Sequence, residues 1–316
     1  MKAIILSQAG EAENLQVADI PMPEHDFNEV LVKVKAFSIN PVDVKTRSGK
    51  ALYEQLKDQE PLILGWDISG EVISSGKEVA GIEMGDQVFG MINFPGHGKA
   101  YAEYVAVPFN HLAKKPANIT HEEAAATTLA ALTAWQVLKD QLQIKPGEKI
   151  LIHAGAGGVG HYAIQLAKHF GAYVIATASA LNADFVRELG ADEHIDYTAG
   201  PFEERVSDVD AVFDTVGVDI SLRSLKTLKE GGRVLAIAGG ITDEVKKLAE
   251  ERQVKELTYL VQSIGNDMQS LAELLEKGIL KAHVSKVLSY TEIAAAHRQI
   301  ESGKTKGKIV LTFEED

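Results

Sequence analysis

The segment Gly155-Ala156-Gly157-Gly158-Val159-Gly160 separates a wholly apolar run, Ile150-Leu151-Ile152, from a stretch of helical spacing through Val159, Ala163, Leu166, Ala167 and Phe170 that stops at Gly171. A G-x-G-x-x-G string by itself is common. Leaving a buried strand and opening a periodic helix, it constrains the chain sharply, because strand, turn and helix must pack closely around one bend. Gly155 is expected to permit the tight turn, Gly157 to let backbone approach a pyrophosphate, and Gly160 to let helix and strand pack. Ala156, Gly158 and Val159 would complete the backbone facing the anion, at the positive end of the helix dipole. The competing reading is a glycine-rich connection without a ligand.

The rhythm around this loop predicts a parallel sheet covered on both faces. Val174-Ile175-Ala176-Thr177-Ala178 reads as the next strand, and Phe185, Val186 and Leu189 mark a helix ending at Gly190. Ala211-Val212-Phe213 and Val234 to Ala238 continue the series, with Leu222, Leu225 and Leu228 on a helix between them. The first third reads differently. Val30 to Ala36 alternates apolar and charged residues, and Ile68–Ile73, Gln87–Ile92 and Tyr101–Val107 are short strand candidates among glycine turns. That pattern predicts a small barrel or sandwich. An alanine-rich helix is expected over Glu122 to Leu138, and the tail from about Asn266 should hold one helix and a last strand, Ile309-Val310-Leu311.

Composition narrows the function. The net charge of −13 disfavours nucleic acid as a partner, because most of the surface repels a phosphate backbone. With no cysteine, disulfides, thiolate nucleophiles, iron–sulfur clusters and sulfur-ligated zinc are excluded. The N-terminal apolar run is too short for a signal peptide, and Ala124 to Leu138 is too short to span a bilayer. A soluble protein, most simply cytoplasmic and without membrane partners, is expected.

Several motifs together resemble one family. Asn40-Pro41-Val42-Asp43, Leu64-Gly65-Trp66-Asp67-Ile68-Ser69-Gly70-Glu71-Val72, Leu132-Thr133-Ala134-Trp135, the loop from His153 to Gly160, Leu189-Gly190-Ala191-Asp192 and Gly303 to Leu311 look like the medium-chain dehydrogenase/reductase superfamily. Within it they resemble the zinc-free quinone oxidoreductases related to zeta-crystallin. The resemblance implies an α/β fold: a GroES-like β-rich partial barrel plus a Rossmann doubly wound parallel sheet. Its domains would be 1–122 with 270–316, the GroES-like catalytic domain, and 123–269, the NADP-binding domain. A homodimer is also implied, through edge pairing of the last Rossmann strand, Leu257 to Ser263.

Zinc-dependent relatives carry cysteine where Asn40 stands, histidine where Trp66 stands, and a second cysteine near Leu129. With those ligands absent no zinc site is expected. The ten histidines include no H-x-x-x-H pair, and His161 and His169 read as surface or packing residues. Hydride transfer without a metal favours acceptors that are already electrophilic, such as quinones and α,β-unsaturated carbonyls.

NADPH is the expected cofactor. An acid about 20 residues past the loop would bind the ribose of NAD, yet this chain has Ala178-Ser179-Ala180-Leu181-Asn182 there, with no acid before Asp184. A carboxylate about 4 Å from a 2′-phosphate would cost roughly 4 kcal/mol at an effective dielectric of 20. Ser179 and Asn182 can donate to phosphate oxygens, and Tyr197 resembles the family's phosphate-contacting tyrosine. Alternatively, Ser179 caps the following helix. By resemblance, Val216-Gly217 and Ala238-Gly239-Gly240 would flank the nicotinamide ribose and ring in a cleft between the domains, and Thr133 would hold the carboxamide side. Asn40 either reaches toward the nicotinamide ring or the substrate carbonyl as a polar, orienting group, or caps a turn before Pro41. Asp43 reads as a brace for that loop. Tyr53 either stacks on a flat acceptor or packs, and Trp66 lines the cleft or fills the core. The expected activity is reduction of a quinone or enone. An enoyl-thioester reductase and a non-catalytic, crystallin-like nucleotide-binding protein are the alternatives.

Overall fold

The computed structural model describes residues 1–313. In chain order its elements are β1 (Lys2–Leu6), β2 (Leu15–Asp19), β3 (Glu29–Ser38), α1 (Pro41–Arg47), α2 (Tyr53–Leu56), β4 (Asp67–Ser75), β5 (Gln87–Met91), β6 (Tyr104–Pro108) and β7 (Ala113–Lys114). Two helices follow, α3 (His121–Ala126) and α4 (Leu129–Gln136). The alternating part comprises β8 (Lys149–Ile152), α5 (Gly160–His169), β9 (Tyr173–Ala178), α6 (Ala183–Glu188), β10 (Glu193–Asp196), β11 (Val209–Asp214), α7 (Val218–Ser224), β12 (Leu228–Ala236), α8 (Asp243–Glu251) and β13 (Lys255–Thr258). The tail holds α9 (Gly265–Glu276), β14 (Val284–Ser289), α10 (Ile293–Glu301) and β15 (Lys308–Thr312).

Two compact units result: Met1–Leu132 with the chain from Gln262 onward, and Thr133–Val261. The first break falls later than the expected 122/123, because α3 lies on β3, β4 and β15 and stays with the first unit. The second falls earlier than the expected 269/270, because α9 packs against β7.

The first unit is built on a sheet of order β14-β15-β3-β4-β5-β7, with β6 also paired to β3. Ten-residue β3 is its centre, and β15 and β4 flank it in antiparallel register, with Ser38 opposite both Val310 and Asp67. The chain's two ends therefore meet in one sheet. Phe37, Trp66, Ile68, Phe89 and Tyr101 are fully buried there.

The second unit carries a six-stranded parallel sheet of order β10-β9-β8-β11-β12-β13. The order reverses between β8 and β11, the place where doubly wound sheets open a crevice at their strand C-termini. Leu151, Ile175, Val212 and Val234 bury against Phe202, Leu225 and Val245 on one face.

Several local expectations are corrected. The helix expected over 122–138 is broken at Thr127 and Thr128, whose hydroxyls donate to the carbonyls of Glu123 (2.7 Å) and Ala125 (2.9 Å) instead of leaving the backbone to continue. Leu228 begins β12 rather than lying on the preceding helix, and β12 ends at Ala236, short of Ala238. The edge strand expected over 257–263 is instead Lys255–Thr258, and residues 259–263 are not strand. The tail has two helices and two strands, not one of each. Among the described residues no helix is long and apolar enough to cross a membrane.

Candidate functional site

In the second unit, the expected cofactor residues lie at the C-terminal ends of neighbouring parallel strands. The loop 153–159 follows β8, Ser179 and Asn182 follow β9, Tyr197 follows β10, Val216 and Gly217 follow β11, and Ala238 and Gly239 follow β12. Thr133 is buried on α4.

The glycine loop earns its residues by space more than by dihedral freedom. The left-handed position is Ala154, with φ of 48°, and not Gly155. A Cβ on Gly155 would stand 3.0 Å from both Ala176 Cβ and Ile164 Cδ1, so glycine here lets the loop lie on β9 and α5. A Cβ on Gly160 would collide with the Ala154 carbonyl oxygen. At half-buried Gly157 the nearest atom to a Cβ, Ala154 O, is 3.2 Å away. Internal packing demands glycine less there than at Gly155 or Gly160. Among the described residues the N–H groups of Gly158 and Val159 find no backbone acceptor, at the head of the ten-residue α5. Unpaired, half-buried N–H groups at a helix N-terminus suit a pyrophosphate.

The loop is held from beneath by His153, which is fully buried. Ala154 N–H donates to Thr177 Oγ1 (3.2 Å), which leaves the Thr177 hydroxyl to donate to His153 Nδ1 (3.1 Å). Ser224 Oγ donates to Ile220 O (2.6 Å), so His153 Nε2–H donates to Ser224 (2.8 Å). Burial, with the Arg223 guanidinium nearby, pulls the imidazole pKa down to about 3. A neutral, single-tautomer histidine thus locks strand ends β8 and β9 together. After β11, one oxygen of buried Asp214 accepts the N–H groups of Val216 (2.8 Å) and Gly217 (3.1 Å), and the other accepts Ser221 Oγ–H (2.6 Å). Asp214 therefore shapes the Val216-Gly217 turn.

At the end of β9, Asn182 Nδ2 donates to Ser179 Oγ at 3.3 Å, and the Ser179 side chain caps no helix. Leu181, Tyr197 and Val216 are among the exposed large apolar residues, at 97%, 56% and 53% exposure. Two groups escaped sequence reasoning. His194 Nε2 lies 3.1 Å from Ala178 O, and Asp196, in register with Ala178, places its carboxylate beside the Ala180 N–H. Thr198, donating from its N–H and hydroxyl, holds that carboxyl below the usual range. An acid is therefore present near this segment after all, supplied by the next strand.

In the first unit, Asn40 is buried just before α1. Its Nδ2 donates to Asp67 Oδ2 (2.7 Å), and its Oδ1 accepts from Lys308 Nζ (2.5 Å). Its backbone N–H donates to Asp43 Oδ2 (2.6 Å), so Asp43 braces the loop as expected. Burial pushes the Asp43 carboxyl up to about 8. Tyr53 is half-buried on α2. Trp66 fills the core, its indole N–H donating to Gly96 O (2.7 Å) and its ring edge-on to Phe94. The positions that hold zinc ligands in zinc-dependent relatives carry Asn40, Trp66 and Leu129, and among the described residues no group of three histidine or carboxylate side chains could hold a metal.

Residues 26–117 match the alcohol dehydrogenase GroES-like domain model, and residues 189–311 match a model described as zinc-binding dehydrogenase. The chain is 34% identical over 98% of its length to a 2-methylene-furan-3-one reductase of Solanum lycopersicum, covering 79% of that protein. It is 35% identical, with the same coverages of 98% and 79%, to an NADPH-dependent alkenal/one oxidoreductase of Arabidopsis thaliana. The solved quinone oxidoreductase of Coxiella burnetii superposes with a TM-score of 0.94 at 38% identity, covering 99% of each chain. These relatives span both units, and the metal-ligand positions carry no sulfur or imidazole. The chain belongs to the medium-chain dehydrogenase/reductase superfamily, among its zinc-free quinone-oxidoreductase-type members.

Proposed function

We propose that this protein is an NADPH-dependent, zinc-independent reductase of quinones or α,β-unsaturated carbonyl compounds. The observation that carries the nucleotide is the head of α5, where Gly158 and Val159 offer N–H groups without a backbone acceptor among the described residues, beside a half-buried glycine less tightly packed than Gly155 or Gly160. Gly155 to Val159 would hold the pyrophosphate. Ser179, Asn182 and Tyr197 would take the 2′-phosphate, and exposed Leu181 would cover adenosine surface. Thr133, Val216, Gly217, Ala238 and Gly239 would fix the nicotinamide end.

When bound, NADPH would supply hydride-transfer chemistry toward a conjugated acceptor, whose carbonyl oxygen would take up the developing negative charge. Asn40 supports this step because one Nδ2 hydrogen remains uncommitted after Asp67 has taken the other. Tyr53 offers a flat ring and a hydroxyl for the acceptor. Catalysis is then chiefly positioning and stabilisation of the developing oxyanion, with the final proton taken from water. The named relatives support the substrate class, since furanones, alkenals and quinones share a conjugated carbonyl. A cytoplasmic homodimer, with sheet edge β13 covered by a second copy, completes the proposal.

The test follows NADPH oxidation with 9,10-phenanthrenequinone, a small enone and an enoyl thioester. Turnover of either of the first two is expected. Tight NADPH binding without turnover of any acceptor would overturn the enzymatic reading, and preference for the thioester would overturn the substrate class. Light scattering showing a monomer at micromolar concentration would overturn the dimer.

A further inference from the structure

Three adjacent strands of the first unit converge on one amide. Ser38 ends β3, and Asn40 follows two residues later; Asp67 opens β4 on one side and Lys308 opens β15 on the other. Asp67 and Lys308 are buried, at 0% and 3% exposure. Lys308 Nζ donates to Ile39 O (2.9 Å) and Asn40 Oδ1 (2.5 Å), and lies 3.6 Å from Asp67 Oδ2. Asp67 Oδ2 also accepts from Ser38 Oγ (2.6 Å), while its Oδ1 accepts the Leu129 N–H (2.9 Å) at the start of α4.

The chemistry of these partners fixes more than a location. An ammonium only donates, and a carboxylate only accepts. The Asn40 amide must therefore face its oxygen to Lys308 and its nitrogen to Asp67. The flipped amide would set its carbonyl against a carboxylate and its NH2 against an ammonium, both repulsive in a buried setting. A buried ion pair is poor evidence of stability, since well-packed apolar residues often serve as well or better. Orientation is the property that apolar replacements could not supply.

We propose that Lys308 is a positioning residue: with Asp67 it sets the amide of Asn40 so that an N–H, not the carbonyl, is what remains to meet the acceptor oxygen. The inference rests on the reading of Asn40 given under the proposed function. It assigns a role to a buried lysine whose ammonium is spent on Ile39, Asn40 and Asp67.

The test is a double-mutant cycle of Asn40→Ala and Lys308→Met, with Lys308→Gln as the variant that keeps a donor without the charge. Steady-state kcat and KM for an enone, the NADPH Kd and Tm are measured for each. Lys308→Met should lower kcat by about 10- to 100-fold, less than the roughly 100- to 1,000-fold of losing an oxyanion donor outright because the amide itself remains, with NADPH Kd changed less than about twofold. Lys308→Gln should recover most of that loss. In the Asn40→Ala background Lys308→Met should cost less than about threefold more, because the amide it orients is gone. Additive losses, or an unchanged kcat in Lys308→Met, would overturn the positioning role alone. Full activity of Asn40→Ala would overturn the reading of Asn40 and this inference with it. If Lys308→Met fails to fold, Asp67→Asn replaces it. Its amide no longer dictates which end of Asn40 it meets, so the same fall in kcat, absent in the Asn40→Ala background, is required.

Discussion

Asn182 donates from Nδ2 to the hydroxyl of Ser179, 3.3 Å away, so the two side chains share one small polar surface at the end of β9. Neither is charged, and the nearest basic residue in α6, Arg187, is engaged with Asp184. Hydrogen bonds from neutral donors to a charged 2′-phosphate contribute roughly 1.5–3 kcal/mol each. Ser179→Asp should weaken NADPH at least about tenfold and leave NADH equal or better, because a carboxylate repels the phosphate and accepts from ribose hydroxyls. Asn182→Lys should tighten NADPH alone. Calorimetric titration of both cofactors checks this, and equal shifts for the two would sink the phosphate assignment.

Two glycines of the loop should fail in different ways. Gly160→Ala drives a methyl into the Ala154 carbonyl, and relief requires α5 to move off β8. A loss of at least about 2 kcal/mol in urea unfolding is expected, typical of overpacking between rigid backbone segments. Gly157→Ala meets Ala154 O at 3.2 Å and Ala154 Cβ at 3.9 Å, a tight contact but far milder than at Gly160, so stability should fall by much less than in Gly160→Ala. NADPH affinity should nevertheless fall about tenfold or more, because the methyl occupies the approach of the pyrophosphate. A Gly157→Ala variant with unchanged Kd would place the phosphates elsewhere.

Metal removal should leave activity intact. Asn40 is the residue at a zinc-ligand position with a usable donor atom, and its amide oxygen is taken by Lys308. Trp66 is committed to Gly96, and Leu129 has no donor in its side chain. Dialysis against a strong chelator should change kcat by less than about twofold, and elemental analysis should find well under one zinc per chain. A stoichiometric zinc whose loss abolishes turnover would contradict this.

Much of the second unit was legible because its strands are buried on both faces. Ile150-Leu151-Ile152 and Val174 to Ala178 carry almost no polar residues, and helices between them show a clear apolar stripe. Edge strands lack that signature. In β10, Glu193-His194-Ile195-Asp196, only Ile195 is buried, so the strand carries no apolar signature and Asp196, beside Ala180, gives no sign of itself in the sequence. Lys308 shows a different limit. A lysine opening an apolar strand reads as a solvated end, and its burial follows from Asn40, 268 positions away in the chain. Thr127 and Thr128 read as ordinary helix residues; their back-bonding breaks the helix and frees Leu129 N–H for Asp67.

Stability should respond to pH through groups that the fold keeps neutral. Burial, with Arg223 nearby, pulls His153 to about 3, and burial, with Arg47 nearby, does the same for His297. Unfolded histidine takes up its proton near 6.5. Between these values the unfolded chain binds protons that the native chain refuses. The contribution of each histidine is therefore complete above about pH 6.5 and declines as pH falls, by roughly 1.4 kcal/mol per pH unit. Asp43 acts in the opposite sense. With its carboxyl raised by burial to about 8, the native state keeps a proton that the unfolded chain releases near 3.9. That contribution is present in acid and is lost as pH rises toward about 8. His153→Gln keeps a donor toward Ser224 and removes the titration. The stability difference between wild type and this variant should then shrink in wild type's disfavour by about one proton's slope from pH 6 to 4. Asp43→Asn should instead flatten the decline from about pH 4 to 8. Urea unfolding across the pH series measures both. Parallel curves for wild type and His153→Gln would mean that His153 takes its proton in the folded protein at its ordinary pKa, and that the bond pattern assigned beneath the glycine loop is wrong.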